Sequence, residues 1–422
     1  MDNRVERLIP FLALISLVAG LVIGSQGVIW MTNLARSIVS EGVHVLTFIG
    51  PVIVGLSVAA SLSELIRKRM ATTVFKYGVY WFFVIRVISA LFTIAMVALI
   101  FRSPLLPAHF DAFSFDQLSV VFGNTIFVVL IGSIGFAVII GWIGSKQDQI
   151  HMLLQLVNNG LNNIGEALSF LILPATFTLG IYISGLDKII VGQAANVSMV
   201  VQSPLLLYAL SLVAFVLIAY GWQIGYLYLV IRNRNDVTMK SFFIKYYIHV
   251  WPLAASTMSE VITFPLSLSK ARKAFPKMEE GIRSFVLSLG TSMNVTGNMI
   301  NGFVIAGFIS YALGYPISVL ELLLVVPVIS IAALGEVGFP GDSILLLGLV
   351  VVAMMAVPDN FMTNFNEVFL ALWFTLEVGL QDCFRTGINV TDNAIHALLL
   401  DKYYKQGKDL RTGLILDLKK TV

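Results

Sequence analysis

Seven polar side chains, Asp382, Arg385, Thr386, Asn389, Asp392, Asn393 and His396, interrupt an apolar run between Phe361 and Leu400. Counted from Asp382 their offsets are 0, 3, 4, 7, 10, 11 and 14, the spacing of one stripe along a helix. A guanidinium is planar and can grip a carboxylate through two parallel hydrogen bonds, and in a site closed to water that bond is far stronger than at a surface. The chemistry on offer is recognition of a carboxylate by Arg385. The alternative is internal: Asp382 and Arg385, three residues apart, neutralise each other as a structural pair. Asp392 and His396, four apart, read as a solvated pair.

A second polar run, Thr291 to Asn298 with Asn301 one turn on, is bracketed by Gly290 and Gly297. Asn and Thr side chains compete for backbone hydrogen bonds, so the run predicts local unwinding and carbonyls turned toward a hard cation. Polar packing between two helices is the other reading.

Both runs need elements to hold them. The 422 residues are 58% hydrophobic and 12% charged, with mean hydropathy +0.89, whereas a soluble domain carries about 25% charged residues. A soluble globular protein and a disordered chain are excluded. The single cysteine, Cys383, rules out a disulfide within the chain, and a net charge of +3 is too small and dispersed for a nucleic-acid surface. Charge-poor stretches long enough for a core of about 30 Å predict eight spanning helices, at 8–25, 45–65, 77–101, 118–143, 166–185, 203–231, 281–313 and 364–400. Placing both termini in the cytoplasm puts 22 of the 27 Lys and Arg residues inside, which fixes the orientation by the positive-inside rule.

Two apolar segments do not fit as spans. Residues 241–268 carry Pro252, the polar tip Ser256 to Glu260, and Pro265, leaving two arms of roughly ten residues, each too short to cross. Residues 318–357 repeat the pattern around Ala333 to Ser343, with flanks on the opposite side. The expectation is a pair of opposed re-entrant hairpins, which in transporters mark the binding site.

At these residues the sequence resembles the dicarboxylate/amino acid:cation symporter family, the glutamate-transporter homologues. The family's last-helix pattern Asp-x-x-Arg-Thr-x-x-Asn-Val-Thr-Gly-Asp matches Asp382, Arg385, Thr386, Asn389, Val390 and Thr391; its seventh-helix Asn-Met-Asp-Gly-Thr is similar to Asn294 to Asn298, and its Gly-Val-Pro-Gly tip to Gly338 to Gly341. The resemblance implies an all-α integral membrane protein of the elevator fold, eight transmembrane helices plus two opposed hairpins, working as a homotrimer in the cytoplasmic membrane. It implies residues 1–240 as mostly scaffold, though helices 3 and 6 belong to the transport domain, and 241–400 as the transport core. That core comprises the inner hairpin 241–268, helix 7 at 281–313, the outer hairpin 318–357 and helix 8 at 364–400, followed by a basic tail, 401–422. It further implies Arg385 for a substrate side-chain carboxylate, Asp382 for an amino group, Thr386 and Asn389 for the remaining polar atoms, and Ser259 and Gly338 at the hairpin tips. No cofactor is implied beyond a coupling ion, H+ or Na+.

The sequence departs from the family where sodium binds. Thr296 and Asn393 stand in place of two carboxylates, leaving Asn294, Asn389 and Asp392 as a residual cation site. Gained are Glu260 and Glu336 at the hairpin tips and Arg86 within a span. A carboxylate shut away from water with no cation beside it favours its protonated form, so Glu336 first and Glu260 second are candidate proton carriers. Arg86 pairs with a new glutamate or supplies a fixed charge. The expected function is symport of an acidic amino acid or dicarboxylate, with proton favoured over sodium. Sodium coupling through a remodelled site, or a channel or exchanger on the same scaffold, is the alternative. No His-Glu-x-x-His, Gly-x-Ser-x-Gly or Walker loop is present, so no enzyme is expected.

Overall fold

In lipid only a helix satisfies its own backbone groups within a single segment, and apolar runs poor in glycine and proline take that form here. The computed structural model describes residues 3–26, 56–68, 71–107, 125–168, 171–185, 203–232, 234, 236–332, 347–348, 350–352, 355, 357, 364–377 and 379–420, and every regular element among them is helical. In chain order these are α1 (Asn3–Ser25), α2 (56–67), α3 (Ala71–Phe101), α4 (Thr125–Lys146), α5 (Asp148–Leu168), α6 (Ile172–Ser184) and α7 (Pro204–Ile231). There follow α8 (Met239–Phe242), a π-helical turn (Phe243–Tyr247), α9 (Ile248–Thr257), α10 (Glu260–Ala274), α11 (Glu280–Met293), α12 (Thr296–Ala312), α13 (Val319–Ala332), α14 (Phe365–Glu377) and α15 (Leu380–Lys420).

Among the described residues four segments are long and apolar enough to cross a membrane, Leu8–Ser25, Lys76–Phe101, Pro204–Ile231 and Glu280–Ala312. Their outward residues include Phe11, Ile15, Leu99 and Leu217, all exposed, as lipid-facing positions should be. The predicted span 166–185 is different: α6 has 13 residues, ~20 Å at 1.5 Å per residue. It is secured by backbone contact with α1. A Cβ added to Gly180 would stand 2.7 Å from the Leu21 amide nitrogen, and one at Gly24 2.9 Å from Ile181 Cα. Such small-residue crossings let helix backbones touch. Helix α5, unforeseen in the sequence, is amphipathic and lies against α10.

The inner hairpin is longer than the predicted 241–268. Its first arm runs unbroken from Met239 to Thr257 and its second from Glu260 to Ala274. Pro252 and Pro265 sit inside the arms instead of ending them. The chain reverses at Met258, whose φ of 49° is left-handed, and Ser259 caps the second arm by accepting the Ile262 amide at 3.3 Å. In the outer hairpin the first arm is described as α13; the tip, with Glu336 and Gly338, lies outside the described residues.

Both polar helices of the sequence prove to be interrupted. Predicted helix 7 divides into α11 and α12 at Asn294 and Val295, as the polar run anticipates. Predicted helix 8 divides into α14 and α15, with Gly379 at φ 70°, a conformation glycine adopts without steric cost. Helix α15 continues without interruption into the basic tail, as far as Lys420. Two large apolar clusters form the core. One contains Val295 and Ile388, the other Met293 and Val390, so the interruption in predicted helix 7 and the middle of the polar stripe share one layer between them.

Candidate functional site

Arg385 lies one and a half turns into α15, 2% exposed. Its guanidinium donates to Asp382 Oδ1 at 2.5 Å and to Glu377 Oε1 at 2.6 Å. Asp382 also accepts from Thr386 Oγ1 at 3.4 Å. The internal pairing offered as the alternative is therefore realised, but with a third member. Glu377 comes from α14, across the Gly379 turn, and its other oxygen accepts the Trp373 indole N–H at 2.6 Å. Sequence reasoning passed over Glu377 because it precedes the regular stripe; its signal was an acidic residue two places before a glycine in a charge-poor run.

One turn further, Asn389 joins three elements. Its Nδ2 donates to Glu260 Oε1 at 2.8 Å and to Asn298 Oδ1 at 2.7 Å, and its Oδ1 accepts the Gly297 amide at 2.6 Å. Asn294 Nδ2 donates to the Asn389 carbonyl at 3.2 Å, and its Oδ1 accepts Thr296 Oγ1 at 2.8 Å. Glycine at 297 is required: a Cβ there would lie 2.6 Å from the Arg385 carbonyl oxygen and 2.9 Å from Asn389 Oδ1. Glu260, at the first position of α10, suits the positive end of that helix. It is 4% exposed, so it is not a tip carboxylate bathed in loop water. Ser259, fully buried, turns its hydroxyl to its own helix.

The structure thus brings Arg385, Asp382, Thr386, Asn389, Asn294 and Glu260 into one polar layer. Asp392 lies further along the same stripe. Three residues beyond Asn389 is one turn higher and about 60° around the helix, and there Asp392 Oδ1 accepts Gln223 Nε2 of α7 at 2.8 Å. Of the residual cation site read from the sequence, Asn294 and Asn389 are hydrogen-bonded to each other, and Asp392 stands one turn further along α15. Asp392 and His396 are not solvated: both are at most 2% exposed, and His396 stacks on Phe82 and meets the Tyr226 hydroxyl at 3.2 Å. Asn393 is packed against Gly290, where a Cβ would collide with its amide. Arg86, 3% exposed, donates to the carbonyls of Met293 and Ser330, near the C-terminal ends of α11 and α13, where the helix dipoles favour a cation.

A second arginine between two carboxylates stands where α7 ends. Arg234 makes a two-pronged contact with Asp236, Nε to Oδ1 at 2.9 Å and Nη2 to Oδ2 at 2.7 Å, and reaches Asp401 Oδ2 at 2.9 Å and the Leu398 carbonyl at 2.9 Å. The hydrogen bond from Arg234 holds the Asp236 carboxyl below its ordinary value, against a smaller opposing effect of burial. Asp401 also accepts the Glu279 amide at 3.1 Å.

The sequence matches the family described as the sodium:dicarboxylate symporter family over residues 9–403. It is 24% identical over 281 residues to a Caenorhabditis elegans protein named putative sodium-dependent excitatory amino acid transporter glt-4, covering 66% of this chain and 52% of that one. It is 26% identical over 171 residues to the proton/sodium-glutamate symport protein of Bacillus subtilis (strain 168), covering 40% of this chain and 37% of the relative. The matched stretches span about half or less of these relatives' lengths.

Proposed function

The chain belongs to the sodium:dicarboxylate symporter family, a family of membrane transporters and not of enzymes, and on that premise we propose a secondary active symporter for an acidic amino acid or dicarboxylate, driven mainly by protons. The observation that carries this reading is the buried Arg385 in a polar layer between two apolar cores, where the inner hairpin tip and two interrupted helices converge. A buried guanidinium held at interrupted helices can exchange one carboxylate partner for another, and the carboxylate of a small anionic substrate is the natural competitor. Protons are favoured over sodium because Thr296 and Asn393 are neutral, while the sequence puts a carboxylate in each segment read as a hairpin tip, Glu260 and Glu336. Glu260 already faces Asn389 at hydrogen-bond distance; Glu336, the first candidate carrier, lies outside the described residues.

In this reading the hairpins and α11 to α15 travel as a transport core against a scaffold formed mainly by the earlier helices, in a homotrimer within the cytoplasmic membrane, both termini inside. The second reading, sodium coupling, is favoured by one feature: the unwound link at Asn294 and Val295 faces the Asn389 carbonyl, an oxygen-rich place suited to a hard cation.

Sealed proteoliposomes with sodium and pH gradients imposed separately test both. An inward proton gradient without sodium should concentrate labelled glutamate or succinate. Uptake restored by sodium alone, at every pH, would replace the proton reading with the sodium one. Equilibration without concentration under either gradient would identify a channel or exchanger.

A further inference from the structure

Arg385 is committed before any substrate arrives. One guanidinium between two carboxylates gives the described cluster one net negative charge, and all three side chains are at most 6% exposed. A substrate carboxylate gains a two-pronged grip on Arg385 by displacing one of these carboxylates. The two partners are not equivalent. Asp382 sits on the arginine's own helix, three residues back, and also accepts from Thr386. Glu377 reaches over from a separate helix across the Gly379 turn, and Trp373 holds its Oε2. It can therefore leave Arg385 by turning Oε1 away while Oε2 keeps its indole hydrogen bond.

A carboxylate left in that place without its cation is strongly disfavoured. The helices packed against α14 bring Arg385, Asp382 and Cys383 from α15 and Tyr208 from α7, whose hydroxyl accepts the Leu380 amide at 3.0 Å; α12 carries no Asp, Glu, Lys, Arg or His. A proton on Oε1 removes the charge, and Oε2, now the carbonyl oxygen of the acid, still accepts from Trp373.

We propose that Glu377 is a proton-binding site that exchanges with substrate: it occupies Arg385 when the site is empty and takes one proton from water when a substrate carboxylate displaces it. The exchange balances. One ion pair to Arg385 breaks, one forms, and a proton enters with the ligand, so an acidic amino acid of net charge −1 leaves the charge of the cluster unchanged. This rests on the reading of Arg385 as the carboxylate site. It assigns the coupling to a residue distinct from Glu336 and Glu260.

The test uses the purified full chain in weakly buffered detergent with a pH indicator, and L-glutamate or succinate as the probe. Wild type should take up one proton per glutamate bound. Glu377→Gln should bind glutamate more tightly, since the internal competitor has lost its charge, with no proton uptake and a flat pH dependence. Proton uptake that persists in Glu377→Gln overturns the proposal. Binding to wild type without any proton uptake also overturns it, yet leaves Arg385 as the carboxylate site. No binding of either probe to wild type removes that site and this proposal together. Should the variant fail to fold, the wild-type infrared difference spectrum decides: glutamate should bring up the C=O band of a protonated carboxyl group together with a shift in Trp fluorescence from Trp373. A spectrum without that band overturns the assignment.

Discussion

Two arginines in this molecule each stand between two carboxylates, in different surroundings. Arg234 closes a junction at the end of α7, where its guanidinium is also tied to the Leu398 carbonyl and its partner Asp401 to a backbone amide. Asp236 is partly open to water, at 18% side-chain exposure. Its members come from the connection after α7, from α15 and from the start of α11, and α15 itself runs past it unbroken. Arg385 has partners equally close, but they come from two sides of a glycine turn and are shut away from water. Backbone groups complete the cage around Arg234, whereas the exchange proposed at Arg385 needs a partner from across the Gly379 turn to swing out. Composition does not distinguish the two; the exposure of their carboxylates and the backbone groups around them do.

The sharpest way to break that comparison is to remove each cation. Arg385→Ala should weaken binding of glutamate or succinate by about 30-fold or more, since losing one member of a buried charge pair costs 2–5 kcal/mol. Isothermal titration measures it, and unchanged affinity would make Arg385 a latch like Arg234. Gly297→Ala should follow, because the added methyl meets the Arg385 carbonyl and Asn389; overpacking of this kind costs about 1–3 kcal/mol. The expected result is a lower melting temperature together with weaker binding, whereas Gly78→Ala, whose Cβ would be 3.5 Å from Phe285, should be nearly silent in both assays.

Arg234→Ala should leave substrate affinity as it is and lower stability by about 2 kcal/mol, the order expected for hydrogen bonds to charged groups. Loss of binding without loss of melting temperature would reverse the roles assigned here. The smallest effect concerns acid. The folded Asp236 carboxyl is depressed, so its contribution is present above the unfolded value of about 3.9 and is lost as pH falls through the lower folded value. Asp236→Asn should therefore reduce the fall in melting temperature between pH 5 and pH 3, measured without substrate, and leave binding at neutral pH untouched.

Much of the fold was legible in the chain because lipid leaves few choices. Apolar runs such as 8–25 and 203–231 must be helices, and the polar run after Gly290 announced its own unwinding through Asn and Thr side chains that compete for backbone hydrogen bonds. The period of the stripe from Asp382 placed Arg385, Thr386 and Asn389 toward the interior correctly, since one helix fixes its own angular order. Periodicity is blind to whatever lies across a break. Glu377 belongs to no stripe of α15, and only the turn at Gly379 folds it back onto Arg385. Asp392 shares the stripe with Asn389 but answers to Gln223, because which neighbour occupies each angle is set by packing between helices far apart in sequence. The sequence thus determined membrane residence, helical class and the carboxylate-binding residue type; the tertiary structure alone decided which acids surround that arginine, because ion pairs across a helix break depend on backbone geometry that no local pattern encodes.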